Sequence, residues 1–424
     1  MSTAVLPSPR GSADAARARR AAVRAARVAG WRDAWCTLAA HPVAWPLARL
    51  ARRLGPVVRV PGVGLVVSDA ELAHEALARD ADFPKNGPGS LAAIMTRFLG
   101  PAALGNMDGE AHARLRARVA DLFAPARAPA LLAACDAPLA DLAARLAAGE
   151  AVELVRWMRV LAGRVTFTLF GAPREADDAN ACLALVALGE RISRALALRA
   201  PGPRLARRVD ADCAVLAGLA RRGWSSPDAP AGSLVRRLRD AGLAFEEARG
   251  VLTFVFLAGA LTTSVALPRI VALLADARQL DALREARRAD PDAVARAVSE
   301  GLRYAAPVPA TVRIAARDTT LGAHRVRAGT RLVVVTANLA RDARLFPDPD
   351  RFDAMRVHDA RARHLWYGAG PHFCLGFSVA QRQLRLVLDV LLDAPAPLTV
   401  TERRVARGVL LPGYAHLAVR AGTP

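Results

Sequence analysis

Seventeen consecutive residues, VLTFVFLAGALTTSVAL from Val251 to Leu267, carry no charge. A helix that is apolar on every side has to be covered on every side. The run falls just short of a membrane span. It also includes Gly259, Thr262, Thr263 and Ser264, and it meets Pro268. It therefore reads as a buried central helix, and the fold must supply the layers that enclose it. A chain of 424 residues that is 53% hydrophobic has the apolar material to do so.

The flanking sequence supplies mostly helices. From about Gly109 to Leu274 the apolar spacing is mainly helical, with breaks at APGPR and SSPDAPAG. Another helix follows Asp290-Pro291-Asp292, where Pro291 suits the first helical position. Short β-branched runs stand near both ends. Val57 to Val60 and Leu65 to Val67 flank a Pro-Gly turn, with Ser68 or Asp69 as the next helix cap; ATVRIAARDTTL and RLVVVTANLA come later. Ala380, Leu384, Val387, Leu388 and Leu391 keep the rhythm of one buried helix face. The expectation is a mainly α protein with small β-sheets (α+β). No linker, repeat or low-complexity block divides it. Residues 1–30, rich in Ala and Arg, lack an apolar signal region and read as a flexible basic tail; residues 31–424 read as a single domain.

Five cysteines stand at 36, 135, 182, 213 and 374, with no Cys-x-x-Cys. An odd, scattered set argues against a disulfide framework or structural zinc and for a reducing cytoplasm. Net charge is +20, and Lys85 is the one lysine among 59 basic residues. The arginines are spread along the chain and aromatics make up only 5%, so nucleic acid is not the expected partner. A basic patch for an acidic protein is the more modest reading. No membrane association is expected.

Cys374 lies in HLWYGAGPHFCLG, where a glycine-rich loop runs into an apolar helix. Unpaired N–H groups and the dipole at a helix start favour a thiolate. Gly368, Gly370 and Gly376 allow tight turns and close approach to a flat partner. His372 is placed to reach an anion beside the sulfur. A thiolate presented in this way suits a metal or a nucleophile.

The loop closely resembles the cysteine-ligand loop of the cytochrome P450 family, of bacterial soluble type. The resemblance implies the P450 fold, with haem b between a long distal helix and the cysteine-loop helix. It implies Cys374 as the iron ligand, whose electron donation favours O–O cleavage, and Phe373, Tyr367, Gly368 and Gly376 beside the cofactor. Tyr367 stands where the family usually has phenylalanine. Other segments match in order, from about Arg32 to Arg420. In EGLR, Glu300 and Arg303 correspond to the family's buried structural pair, and PDRF supplies Arg351 as its joining arginine. In GEAHARLRARV, His112 and Arg116 correspond to haem-propionate partners, as do Arg313 in ATVRIA, His372, and His364. In LAGALTT, Ala258 and Gly259 leave room above the haem, and Thr262 corresponds to the threonine of the oxygen site, with Thr263 beside it. The family's usual acid is Leu261 here, so protons would have to come through Thr262, Thr263, water or the substrate.

The resemblance further implies a monooxygenase. Its electrons would come from NAD(P)H through a reductase and a separate ferredoxin or flavodoxin, which Arg114, Arg118, Arg361, Arg363 and Arg382 would steer. Its substrate would be a small hydrophobic molecule, free or carrier-protein-bound, of the kind tailored in bacterial secondary metabolism. Ile94, Met95, Phe98, Phe254, Leu257, Leu261, Val308, Leu410 and Leu411 would make the apolar pocket, and Arg191, Arg194 and Arg199 would greet an anionic group. Two other readings stay open: a peroxygenase using H2O2, suggested by Leu261, and a haem-binding sensor or recruiter without oxygenase chemistry.

Overall fold

The structure is a computed structural model and describes residues 9–88, 90–196, 201–359, 362 and 364–422. Arg199, Arg361 and Arg363 lie outside the described residues.

The apolar run forms the axis of the fold. A helix at Phe245–Val255 passes through a π-helical turn at Phe256–Ala260 and continues as Leu261–Asp276. This continuous 32-residue helix is long and apolar enough to cross a membrane by length and composition alone, yet most of it is buried inside the protein. It is longer than the apolar run because charged residues extend both ends. Helices Leu154–Leu169 and Phe377–Leu392 pack against it, so it is enclosed from several sides. In Phe377–Leu392, Leu384, Val387, Leu388 and Leu391 are buried as their spacing predicts.

Among the described residues nine strands form three small sheets. Strands β1 (Val57–Val60), β2 (Gly64–Val67), β4 (Thr311–Ile314) and β7 (Arg331–Val334) pair in the order β1-β2-β7-β4, with only β2 and β7 parallel. β3 (Val152–Glu153), β8 (Leu398–Val405) and β9 (Tyr414–Ala421) form a second sheet, and β5 (Thr319–Leu321) and β6 (His324–Val326) a hairpin. Of the two candidate caps after β2, Asp69 does the work: its carboxylate accepts from Leu72 N at 2.9 Å.

Two local expectations are corrected. Residues 9–30 are not a separate tail in backbone terms, because helix α1 (Pro9–Ala40) runs across the expected boundary at 30. Ala26 and Ala29 are buried, and a Cβ on Gly30 would fall 2.1 Å from the Tyr304 hydroxyl, so this turn of α1 is packed tightly onto the body. Helix Ala293–Tyr304 starts after Asp292, so Pro291 precedes the cap instead of opening the helix. The next helix, α2 (Ala44–Leu54), follows α1 after three residues.

Candidate active site

The cysteine loop and the central helix face each other across one cavity of about 330 Å³. On one wall are Tyr367, Gly368, Phe373, Cys374 and Gly376; on the other are Ala258, Gly259, Thr262, Thr263 and Ala266. Ala258, Thr262 and Ala266 recur every four residues, so one face of the helix supplies the wall. Ala258 and Gly259 lie mid-helix yet keep exposed surface, because that surface opens into the cavity.

The loop's glycines are used differently. Gly368 (φ 82°) and Gly370 (φ 65°) need the left-handed region. A Cβ on Gly370 would also meet Leu77 O at 2.4 Å. Gly376 has an ordinary φ of −85°, and a Cβ there would meet nothing. Its missing side chain clears space over the cavity, as a flat group beside Cys374 requires. Cys374 N donates to Tyr367 O at 3.1 Å, which fixes the loop across the sulfur. Burial raises the Cys374 thiol above its ordinary pKa, against a backbone bond from Gly376 and the charges of Arg116 and Lys85. The expected lowering by a helix start is thus outweighed by desolvation, since the helix begins only at Phe377. Metal binding would have to displace the proton. Tyr367 has its pKa raised, first by desolvation and then by the nearby Cys374, against a bond to Gln381.

A cationic rim closes the cavity. Arg116 Nη2 donates to Phe373 O at 2.6 Å, tying its helix (Gly109–Ala120) to the cysteine loop. Arg313, on β4, is 1% exposed and its buried Nε finds no partner among the described residues. His112 and His372 stack with ring centroids 4.2 Å apart, and His372 Nε2 lies 3.1 Å from Asp108 Oδ1. Burial lowers the His112 pKa to about 4, helped by His372 and Arg116. His372 is lowered too, first by burial, against its bond to Asp108. At pH 7 these rings therefore act as neutral N–H donors and not as the cations expected from sequence.

Lys85 was missed as a site residue. It lines the cavity, its Nζ donates to Gly105 O at 3.1 Å, and its backbone N–H donates to Asp108. Burial lowers its pKa to about 7, with Arg313 adding to the shift and Asp108 opposing it. The available signal was its being the one lysine in an arginine-rich chain. Arg116 and Arg313, with Lys85 part-protonated near pH 7, outweigh the one charge of Asp108 and leave the rim cationic. Two carboxylates entering this rim would offset that charge, and would give the orphaned Arg313 Nε an acceptor.

The structural pair is buried as expected. Arg303 Nε donates to Glu300 Oε2 at 2.6 Å and Nη2 to Oε1 at 2.8 Å, with both side chains 0% exposed. The joining arginine is corrected. Arg351 is 45% exposed at the surface and faces Asp353; it contributes only its carbonyl. Arg356 Nε, at 3.2 Å, and His358 Nε2, at 3.1 Å, reach Glu300 instead. The chain turns between 351 and 356, which puts the later arginine inside.

Several pocket expectations fail. Of the nine apolar candidates only Phe254 and Val308 line the cavity. Leu257 and Leu261 lie four apart, about 100° round the helix from Ala258 and Thr262, and are buried with Phe98 in an apolar cluster that borders the cavity through Leu104 and Phe123. Ile94, Met95 and Leu411 pack against that cluster, and Leu410 accepts from His41 through its carbonyl. His364 does not line the cavity; its ring tilts against Phe377 with centroids 4.4 Å apart. Arg191 is engaged by Asp212 at 2.8 Å. In the expected partner patch, Arg114 pairs with Glu110 and Arg118 with Glu247, while Arg382 is exposed.

The family model described as Cytochrome P450 matches residues 234–394. Over those residues the chain is similar to the cytochrome P450 family. Its fold superposes on the erythromycin B complex of a mutant of P450 EryK with a TM-score of 0.71 at 26% identity, covering 91% of this chain and 98% of that one. It is 28% identical to luteothin monooxygenase of Streptomyces thioluteus over 81% of this chain and 85% of that protein. It is 33% identical to cyclomarin C epoxidase of Salinispora arenicola, over 37% of this chain and 38% of that protein. The chain thus spans well under half the length of some curated P450s it matches. Haem b is the family's cofactor. The residues fit it: Cys374 as iron ligand, the open surface at Gly376 and Gly259 for a flat macrocycle, and Lys85, Arg116, Arg313 and His112 for its two carboxylates, with His372 spending its one N–H on Asp108 and stacked on His112.

Proposed function

We propose that this protein is a haem-thiolate monooxygenase that oxidises a small, largely apolar and uncharged organic substrate with O2 and electrons from a ferredoxin-type partner. The observation that carries this reading is that Cys374 and the Ala258–Thr262 face oppose each other across a single cavity with a cationic rim. Bound there, haem supplies the redox chemistry, and Cys374 supplies its electron donor.

The chain's own residues orient, exclude water and handle protons. Phe254, Val308 and Leu104 give the substrate side an apolar lining. Among the described residues no carboxylate lines the cavity. Thr262 Oγ1 donates to Ala258 O at 2.7 Å, and Thr263 Oγ1 to Gly259 O at 3.0 Å. Each hydroxyl has used its one proton and offers lone pairs to a donor in the cavity. Both bonds sit at the π-helical turn, where the wider backbone leaves carbonyls open to side chains. Protons would reach the site through water or the substrate, or through either hydroxyl once it releases its carbonyl bond.

The lack of a carboxylate among the described residues lining the cavity supports a second reading, a peroxygenase that takes H2O2 and so needs no proton delivery to O2. The test is turnover of the haem-loaded protein with ferredoxin, reductase and NAD(P)H under isotopically labelled O2. The proposal expects product carrying the label. Unlabelled product formed only when H2O2 is supplied would favour the second reading.

A further inference from the structure

Thirteen large hydrophobic side chains are exposed among the described residues, and seven of them fall between 28 and 54. They form two stripes of helical spacing. On α1, Val28, Trp31 and Trp35 follow Arg24 on one face, with Trp31 73% exposed. On α2, Val43, Leu47, Leu50 and Leu54 recur at i, i+4, i+7 and i+11, each at least half exposed. The α2 stripe is about 16 Å long. An amphipathic helix on a globular body turns such a face inward; α2 instead turns Ala51 inward and its leucines out.

The charge around the stripes names the occupant. Between residues 15 and 68 the chain has ten arginines and one acid, Asp33. Asp33 is buried and already bonded to Arg269 at 2.8 Å. Arg24, Arg27, Arg53 and Arg59 are exposed and pair with no carboxylate among the described residues. Exposed leucines and tryptophans beside unneutralised arginines, which outnumber Asp350, an exposed acid of the body lying beside Arg27, Trp31, Trp45 and Arg49, are the composition of a helix that lies in an anionic bilayer surface. Two copies of this face would bring their arginines together, which opposes self-association. We propose that α1 and α2 form a membrane-surface contact for anionic lipid, apart from the haem cavity and independent of the proposed reaction.

The test is co-sedimentation of the full haem-loaded chain with phosphatidylcholine vesicles, with and without phosphatidylglycerol. The protein sediments with the anionic vesicles, raised salt weakens this, and phosphatidylcholine alone binds little. Leu47→Asp combined with Leu50→Asp lowers vesicle affinity at least about tenfold, with the haem spectrum unchanged. Both positions are exposed, so the variant folds; Leu47→Ser with Leu50→Ser separates lost apolar contact from added charge by giving a smaller loss. No sedimentation with either vesicle overturns the proposal. So does unaltered binding by the Asp variant, or a dimer in solution that this variant dissociates.

Discussion

Glu300→Gln removes the one carboxylate of a fully buried cluster and leaves Arg303 and Arg356 without an acidic partner. Burial alone would raise the Glu300 pKa, but bonds from Arg303 and His358 and the charge of Arg356 hold it down to about 2 from the ordinary 4.5. At about 1.4 kcal/mol per pH unit, that displacement corresponds to about 3 kcal/mol of stability. Breaking a buried ion pair by removing one partner costs a similar ~3–5 kcal/mol. Because the folded pKa is depressed, the contribution is complete above pH 4.5 and is lost as pH falls toward 2. Urea unfolding followed by circular dichroism should show the variant about 3 kcal/mol less stable at pH 7, with the gap to wild type narrowing below pH 4.5. Arg356→Gln should share most of this loss, whereas Arg351→Gln at an exposed pair should cost under ~1 kcal/mol. A Glu300→Gln variant within ~0.5 kcal/mol of wild type, or Arg351→Gln outranking Arg356→Gln, would refute the reasoning.

Lys85 is the one lysine, so an amine-acylating reagent reports on it directly, with the N-terminal amine as control. Acylation should proceed in the haem-free protein and be suppressed by haem loading; equal labelling in both would remove Lys85 from the propionate set. Gly370→Ala places a Cβ against Leu77 O in left-handed backbone, and should cost at least ~1 kcal/mol and speed haem loss to apomyoglobin; an unchanged transfer rate would contradict this. Thr262→Val should uncouple NAD(P)H consumption from product formation and raise H2O2 release, while Leu261→Glu buries a carboxylate in an apolar cluster and should destabilise the protein by about 1–3 kcal/mol without restoring coupling; gain of coupling by Leu261→Glu would show that position 261 reaches the cavity.

The chemistry was legible where local sequence carries it. Cys374 and its glycines belong to one loop, and Glu300 and Arg303 share one helix face, so spacing put each set within reach and the resemblance marked the pair as a buried one. The same periodicity buried Leu384, Leu388 and Leu391 and made the Val251–Leu267 run the axis of the fold. What could not be read depended on which way an element turns or where a loop folds back. Leu257 and Leu261 sit one helix face away from Ala258 and Thr262, which no composition argument distinguishes in an apolar run. Arg351 and Arg356 are five residues apart in an irregular segment, and only its path decides which enters the core. Lys85 joins Arg116 and Arg313 through tertiary contact, so its role had no local signature. The histidines' neutrality came from burial, which sequence does not measure.

The central claim is that Cys374 is the thiolate ligand of haem in this cavity. The direct measurement is the CO difference spectrum of the dithionite-reduced protein, taken for wild type and for Cys374→Ala. The account predicts a Soret band strongly red-shifted to the thiolate position in wild type and absent from the variant. A wild-type spectrum without haem, or a band that Cys374→Ala leaves unchanged, would contradict it.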